Sequence, residues 1–270
     1  MDCRFALTCG QSVQVDAAKA FQIERYGAPH PGKVEDHVAV EEPMEIRVDG
    51  HPISVVMRTP GHDGDLALGF LLTERVISQR SEVRKMDERP EENRVLVFLH
   101  DGVEVDLNRL SRHLFAASSC GICGKTRLES IFLDSPPLTH RLEIPDHVLL
   151  AAPDQLRAAQ PGFDSTGGVH AAGLFSPQGE LLIAREDIGR HNAVDKVIGR
   201  ALADDIPLKD GFLLVSGRVS FEIMQKAQVA GIQLVAAVSA PSSLAIEFAK
   251  GSGQSLIAFL RPPGFNRYTD

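Results

Sequence analysis

No window of the 270-residue chain approaches eighteen consecutive apolar residues, so the sequence holds no candidate membrane-spanning helix. The N-terminus lacks a cationic flank followed by an apolar run of signal-peptide length, and a cytoplasmic location is expected. Basic residues are in the minority. With 28 Lys and Arg against 36 Asp and Glu, the formal net charge of −8 supplies no global positive field for nucleic acid or an anionic membrane, although a local basic pocket is compatible with it. Cysteine is scarce, four in all, and in a reducing compartment such thiols read as reactive or metal-binding rather than as a disulfide framework. Internal repeats and low-complexity tracts are also missing. What is left, 43% hydrophobic and 24% charged, is ordinary globular composition, enough for one large core or two modest ones.

Two of the four cysteines stand three positions apart in Ser118-Ser119-Cys120-Gly121-Ile122-Cys123-Gly124-Lys125-Thr126-Arg127. Gly121 and Gly124 let the backbone turn its amide N–H groups toward a thiolate, and Lys125 and Arg127 add positive charge. A helix starting near residue 125 would favour S⁻ further, which makes one of these thiols a nucleophile near neutral pH. Three other readings compete. Half of a structural zinc site would call for a second CxxC, whereas the other cysteines are Cys3 and Cys9, six apart and without histidine or carboxylate at ligand spacing. A thioredoxin-like switch favours aromatic or proline residues between the thiols, and an inert packed pair favours apolar surroundings.

Along the chain, Met1 to about Glu35 shows no sustained period and reads as a loosely ordered leader extending to residue 37. Met44 to Met57 alternates around an Asp49-Gly50 hairpin turn. Arg58-Thr59-Pro60-Gly61 breaks the pattern, Asp63 is placed to cap a helix from about Asp65 to Val76, and a second hairpin is expected over Val95 to Leu107. These segments make a small α+β domain over residues 38–138 that ends in the CxxC loop. Residues 139–270 read as an α/β domain: a helix from Asp146 to Ala159 ended by Pro161-Gly162, two strands, and then helices alternating with strands to Leu260. That alternation specifies a largely parallel sheet covered by helices. Ser216-Gly217-Arg218, Ser239-Ala240-Pro241 and the segment from Leu260 to Gly264 are expected together at its carboxyl edge, where such sheets bind ligands.

Several segments resemble one family in order: Arg58-Thr59-Pro60-Gly61, Ser119-Cys120-Gly121-Ile122-Cys123-Gly124, Thr166-Gly167-Gly168-Val169-His170-Ala171, the block from Glu186 to Lys196, Ser216-Gly217-Arg218 and Phe265-Asn266-Arg267-Tyr268-Thr269. They are similar to the formate dehydrogenase accessory sulfurtransferases of the FdhD family. The resemblance implies a cytidine-deaminase-like α/β/α domain preceded by a smaller α+β domain, and a homodimer required for formate dehydrogenase activity. It also implies a sulfur carrier. A cysteine desulfurase would load a persulfide on Cys120, with Cys123 as a second thiol that assists or shapes the loop. The sulfur would then pass to the molybdenum of Mo-bis(molybdopterin guanine dinucleotide). The family's cofactor-binding segment maps to Phe259, Leu260, Arg261, Pro262, Pro263 and Gly264, and Pro262-Pro263 departs from it by removing two backbone donors.

For a phosphate-bearing cofactor, Arg218 and Arg261 at strand ends and a Gly167-Gly168 cradle are the natural contacts, with His170 and His191 as further candidates. Asp187 and Asp195 are expected to cap or ion-pair locally. No intrinsic metal and no nucleic-acid partner is expected. A zinc deaminase needs His-x-Glu followed by Pro-Cys-x-x-Cys, but His170 is followed by two alanines and the CxxC lies upstream without a preceding proline. A cofactor-binding chaperone without sulfur chemistry is the other class to separate, as is a zinc-binding CxxC protein.

Overall fold

Short unbroken apolar runs set up the middle of the larger sheet, because successive side chains of a strand buried on both faces feed two cores in turn. In the computed structural model, which describes residues 17–27, 31–103, 105 and 136–269, the chain first forms β1 (Ala18–Arg25), β2 (Gly32–Ala39), β3 (Glu42–Val48), β4 (His51–Arg58), α1 (Asp63–Thr73), β5 (Val83–Arg89) and β6 (Arg94–Leu99). It continues with α2 (Asp146–Ala158), α3 (Pro161–Thr166), β7 (His170–Phe175), β8 (Leu181–Asp187), α4 (Arg190–Ala203), β9 (Phe212–Val215), α5 (Phe221–Val229), β10 (Leu234–Ala237), α6 (Ser243–Ser252), β11 (Ser255–Arg261) and β12 (Gly264–Arg267).

The fold class is α/β, with a smaller α+β part ahead of the main sheet. The six-stranded sheet has the order β12-β11-β10-β9-β7-β8, and its three middle strands, β9 to β11, are parallel. β7 runs antiparallel to β9 and β8, and β12 antiparallel to β11, so the sheet is mixed rather than largely parallel. Phe212, Leu214, Leu234 and Ala236 point to one face, toward α2, where Phe175 stacks on Phe212 at 5.0 Å. Leu213, Val215, Val235 and Ala237 point to the other, into a core shared with α1, α4 and α5.

That second core continues into the four-stranded sheet, order β4-β3-β6-β5, through Met44, Ile46, Val95 and Val97. α1 therefore lies between the two sheets, with its glycine Gly69 against Gly199 of α4.

Four local expectations are revised. β1 and β2 form an antiparallel ribbon, Ala18 opposite Ala39 through Arg25 opposite Gly32, inside what reads as a leader. Both of its faces are largely open, so no alternation marks it. Asp63 does not cap α1, whose N-cap is His62 at φ 57; the Asp63 carboxylate instead takes two bonds from Arg58, at 3.0 and 2.8 Å. Both edges of β6 are taken, one by β5, a strand of charged composition, and the other in parallel by β3, while most of the strand expected beyond the Asp101-Gly102 turn lies outside the described residues. Pro161 opens the short helix α3 rather than merely ending α2, since the missing N–H of proline costs nothing at a first helical position.

Candidate functional site

The carboxyl edge of the sheet is where the chain leaves β9, β10 and β11, and the antiparallel β7 begins there with His170. Ser216 locks that junction: its N–H donates to the Ala171 carbonyl and its hydroxyl accepts from the Ala171 N–H, each at 2.9 Å. Around it opens a cleft of about 830 Å³ between the strand ends, the start of α4 and the α2–α3 corner. Arg190, Arg218 and Arg261 line it, with Ser216, Gly217, Ser239 and Pro262. The expectation that the segments after β9, β10 and β11 meet is therefore met by Ser216-Gly217-Arg218, Ser239 and Arg261-Pro262.

None of these three arginines has a carboxylate partner among the described residues, and the Nε of Arg190 is buried without any hydrogen bond. Uncompensated guanidinium groups at one concave site, beside the N-terminus of α4, form a field built for anions. His170 answers to the same field. Burial first, then the neighbouring Arg190, His191 and Arg218, lowers its pKa below the ordinary 6.5, against the opposing pull of Asp187.

A second cleft, about 780 Å³, lies on the far side of α3 and makes a useful contrast. Its charged residues are consumed: Arg185 pairs with Asp65, Lys196 with Asp187, and Glu186 accepts from the Gly162 and Phe163 N–H groups at 2.7 and 2.8 Å. The first cleft carries the unpaired charge, so it is the candidate site.

Other expected contacts sort differently. Gly167 and Gly168 line the cleft, yet the Gly167 N–H is taken by the Phe163 carbonyl at 2.7 Å and the Gly168 N–H by Thr166 Oγ1 at 3.1 Å, so neither is free to cradle phosphate. Leu260 is wholly buried in the α2-side core, and Phe259, at φ 54, bends the strand ahead of Arg261. Pro263 and Gly264 are exposed in the turn into β12 and do not reach the cleft wall. Cys120 and Cys123, with Lys125 and Arg127, lie outside the described residues, as do Cys3 and Cys9.

The block from Glu186 to Lys196 divides into clasp and site. Asp187, fully buried, pairs with Lys196 at 2.7 Å and accepts the Thr59 N–H at 3.1 Å, while Lys196 Nζ reaches the Thr59 carbonyl at 2.9 Å. Asn192 adds a bond to the Met57 carbonyl at 2.7 Å. These side chains fix the Arg58-Thr59-Pro60-Gly61 turn and leave Arg190 to face the ligand side. His191 faces inward instead, its Nε2 3.1 Å from both Ser220 Oγ and Glu222 Oε2. One helical turn further, Asp195 meets Lys226 at 2.8 Å, so the parallel helices α4 and α5 are joined by two rungs of opposite polarity. Burial pulls the Lys226 ammonium down, but Asp195 and Glu74 outweigh it and hold the pKa above its ordinary value.

The start of α4 does not supply the His-x-Glu of a zinc deaminase either. His191 is followed by Asn192-Ala193, and α5 opens on Ser220-Phe221-Glu222 without cysteine. Among the described residues no three His, Cys, Asp or Glu side chains are grouped to hold a metal.

Arg157, Asp154, Gln160 and Phe163 complete the cleft and were not legible in the sequence, because they come from the α2–α3 corner that reads only as a helix end. Arg157 lies over the Phe163 ring, 4.8 Å from its centroid, and pairs with Asp164.

Fold and cleft together define an α/β protein with an anion-complementary crevice at the carboxyl ends of its central strands. The chain belongs to the FdhD/NarQ family, whose model matches residues 39–270. It is 50% identical over 246 residues to a protein of Mycobacterium tuberculosis, covering 86% of this chain and 89% of that one. It is 42% identical over 259 residues to one of Saccharolobus solfataricus, covering 93% and 96%. Both are named sulfur carrier protein FdhD. A crystal structure from Desulfotalea psychrophila, described as a formate dehydrogenase accessory protein, superposes with a TM-score of 0.75 at 24% identity, covering 94% of this chain and 98% of that one. Among the described residues no helix is long and apolar enough to cross a membrane.

Proposed function

We propose that this chain carries sulfur from a cysteine desulfurase to a molybdenum cofactor, Mo-bis(molybdopterin guanine dinucleotide), on its way into formate dehydrogenase. The cleft supports this reading most directly. Three arginines without carboxylate partners among the described residues stand at the edge where α/β sheets take phosphate-bearing ligands, in a family whose relatives are named for sulfur carriage.

Loading is a thiol exchange without net redox change. The Cys120 thiolate attacks the terminal sulfane sulfur of the desulfurase persulfide, a new S–S bond forms, and the desulfurase cysteine leaves as thiolate. In delivery, the terminal sulfur passes to a reduced molybdenum centre of the cofactor substrate, which supplies the two electrons, and Cys120 leaves as thiolate. The arginines neutralise the pyrophosphate groups, and His170, whose pKa is lowered by burial first and then by the neighbouring arginines, offers a further hydrogen bond.

Mass spectrometry of the intact protein after incubation with a desulfurase and cysteine tests the loading step. Added sulfur mapped to Cys120, and lost in Cys120→Ala, is the expected result. A Cys120→Ala protein that still activates the dehydrogenase would make this a chaperone without sulfur chemistry, and stoichiometric zinc at the CxxC would make the thiols ligands.

A further inference from the structure

The second cleft, on the far side of α3, has an open strand edge as one of its walls. β8 is the last strand of the six-stranded sheet, so one row of its backbone groups has no strand opposite. The register fixes which row. Ala171 uses its N–H and its carbonyl on Ser216, on the β9 side, and it stands across from Glu186, so Glu186 and Ala184 turn their backbone groups away from β7 and toward the cleft. Their carbonyls accept from side chains, Ala184 from Arg185 Nη1 at 2.9 Å and Glu186 from Lys196 Nζ at 3.4 Å. Their N–H groups have no partner among the described residues, although both residues are half-buried. Two donors two positions apart on a sheet edge match the alternate carbonyls of one extended chain.

The facing wall is the β1–β2 ribbon, which presents Ala18, Ala20 and His37 from one of its faces; no backbone hydrogen bond joins it to β8 among the described residues. Sixteen residues precede Ala17, and Ala17 itself lines this cleft. At about 3.3 Å per extended residue they reach well past the seven residues of β8. Among them, outside the described residues, Phe5-Ala6-Leu7-Thr8-Cys9 carries no charge, which suits a cleft whose own charges are paired, and Gly10 gives the chain a place to turn back toward Ala17. We propose that Phe5 to Cys9 adds to the free edge of β8 as a further strand, fills the second cleft and accepts the Ala184 and Glu186 N–H groups. Main-chain bonds supply the affinity, and the chain thereby closes an edge that is otherwise a template for pairing with another molecule. Glu186 also holds the Gly162 and Phe163 N–H groups, so the added strand braces the helix that divides the two clefts. Residues 1–38 lie ahead of the stretch that the family model matches, which makes this strap a feature separate from the sulfur chemistry.

Amide hydrogen exchange, read residue by residue by NMR on the full-length protein, tests this. Ala184 and Glu186 are expected to exchange slowly in the unaltered chain. The double variant Ala6→Asp with Leu7→Asp puts a carboxylate on each side of the segment, so that docking would bury a charge without a partner; both amides are then expected to exchange faster by about tenfold or more. The β9 amides of Leu213 and Val215, deep in the central sheet, should be unchanged and serve as the control for folding. Exchange of Ala184 and Glu186 at the rate of an unstructured chain in the unaltered protein overturns the strap. Slow exchange that survives the double variant overturns it as well, and if that protection also rises with protein concentration, the edge is taken by a second copy of the chain instead.

Discussion

Gly69 of α1 and Gly199 of α4 face each other where the helices cross, and neither position has room for a side chain. A Cβ on Gly69 would overlap the Asp195 carbonyl and stand 2.9 Å from the Gly199 amide nitrogen; one on Gly199 would overlap the Asp65 carbonyl and stand 2.7 Å from the Gly69 amide nitrogen. The crossing joins the four-stranded sheet to the six-stranded one, so it governs how the cleft's supporting clasp meets the rest of the fold.

Gly69→Ala and Gly199→Ala are each expected to cost about 3 kcal/mol or more, because only backbone can move to make room, and overpacking at a rigid contact is at the upper end of its usual range. Ser at the same positions should be no better. Urea unfolding monitored by circular dichroism checks this; a midpoint unchanged in both alanine variants would show that the helices can separate freely.

Lys226→Met takes the ammonium group away from the buried Asp195 and from Glu74 next to it. A loss of about 3–5 kcal/mol is expected, the range for breaking one side of a buried pair. The double variant Lys226→Met with Asp195→Leu removes both charges and is expected to recover part of that loss, so that the two effects are not additive. Additive losses in a double-mutant cycle would contradict a direct interaction.

Stability should also fall on mild acidification. His170 and the more exposed His62 both have pKa values lowered chiefly by burial, and then by neighbouring basic groups, Arg190, His191 and Arg218 for His170 and Arg185 for His62. The unfolded chain therefore takes up protons first as pH drops. Their contribution is fully present above the unfolded value near 6.5 and is lost as pH falls through it toward the folded pKa. His170→Gln is expected to flatten that slope, measured as the thermal midpoint from pH 7.5 to 5, a window of about one unit or more either side of the ordinary histidine value. A slope identical to that of the unaltered protein would place the proton uptake elsewhere.

Ligand binding at the cleft should weaken with salt, since it replaces counterions around the phosphates. Arg261→Ala is expected to reduce the slope of log K against log salt as well as the affinity. An affinity lowered without change in slope would mean that Arg261 shapes the turn rather than contacting the anion.

The second half of the fold was open to reading because β9, β10 and β11 are short apolar runs divided by amphipathic helices, and each residue's face follows from its place in a period of two. Ser216, Arg218 and Arg261 could be placed at one edge by the same logic. The β1–β2 ribbon and charged β5 could not, because their residues do not alternate between a buried and a solvated face. The α2–α3 corner was hidden for another reason: Pro161 looks the same in sequence whether it stops one helix or starts the next.

What the sequence determined by itself was the order of elements from β9 to β11, the two-sided burial of those central strands and the CxxC motif, all of which depend on neighbours a few residues apart. Only the tertiary structure decided the role of each charge. Asp187 and Thr59, 128 positions apart, become a hydrogen-bonded pair, so Asp187 belongs to the clasp, while Arg190, three residues along, is left facing the cleft. A charge is structural when an opposite partner lies within reach in the folded chain and available to a ligand when none does, and that distance is set by packing between segments remote in sequence.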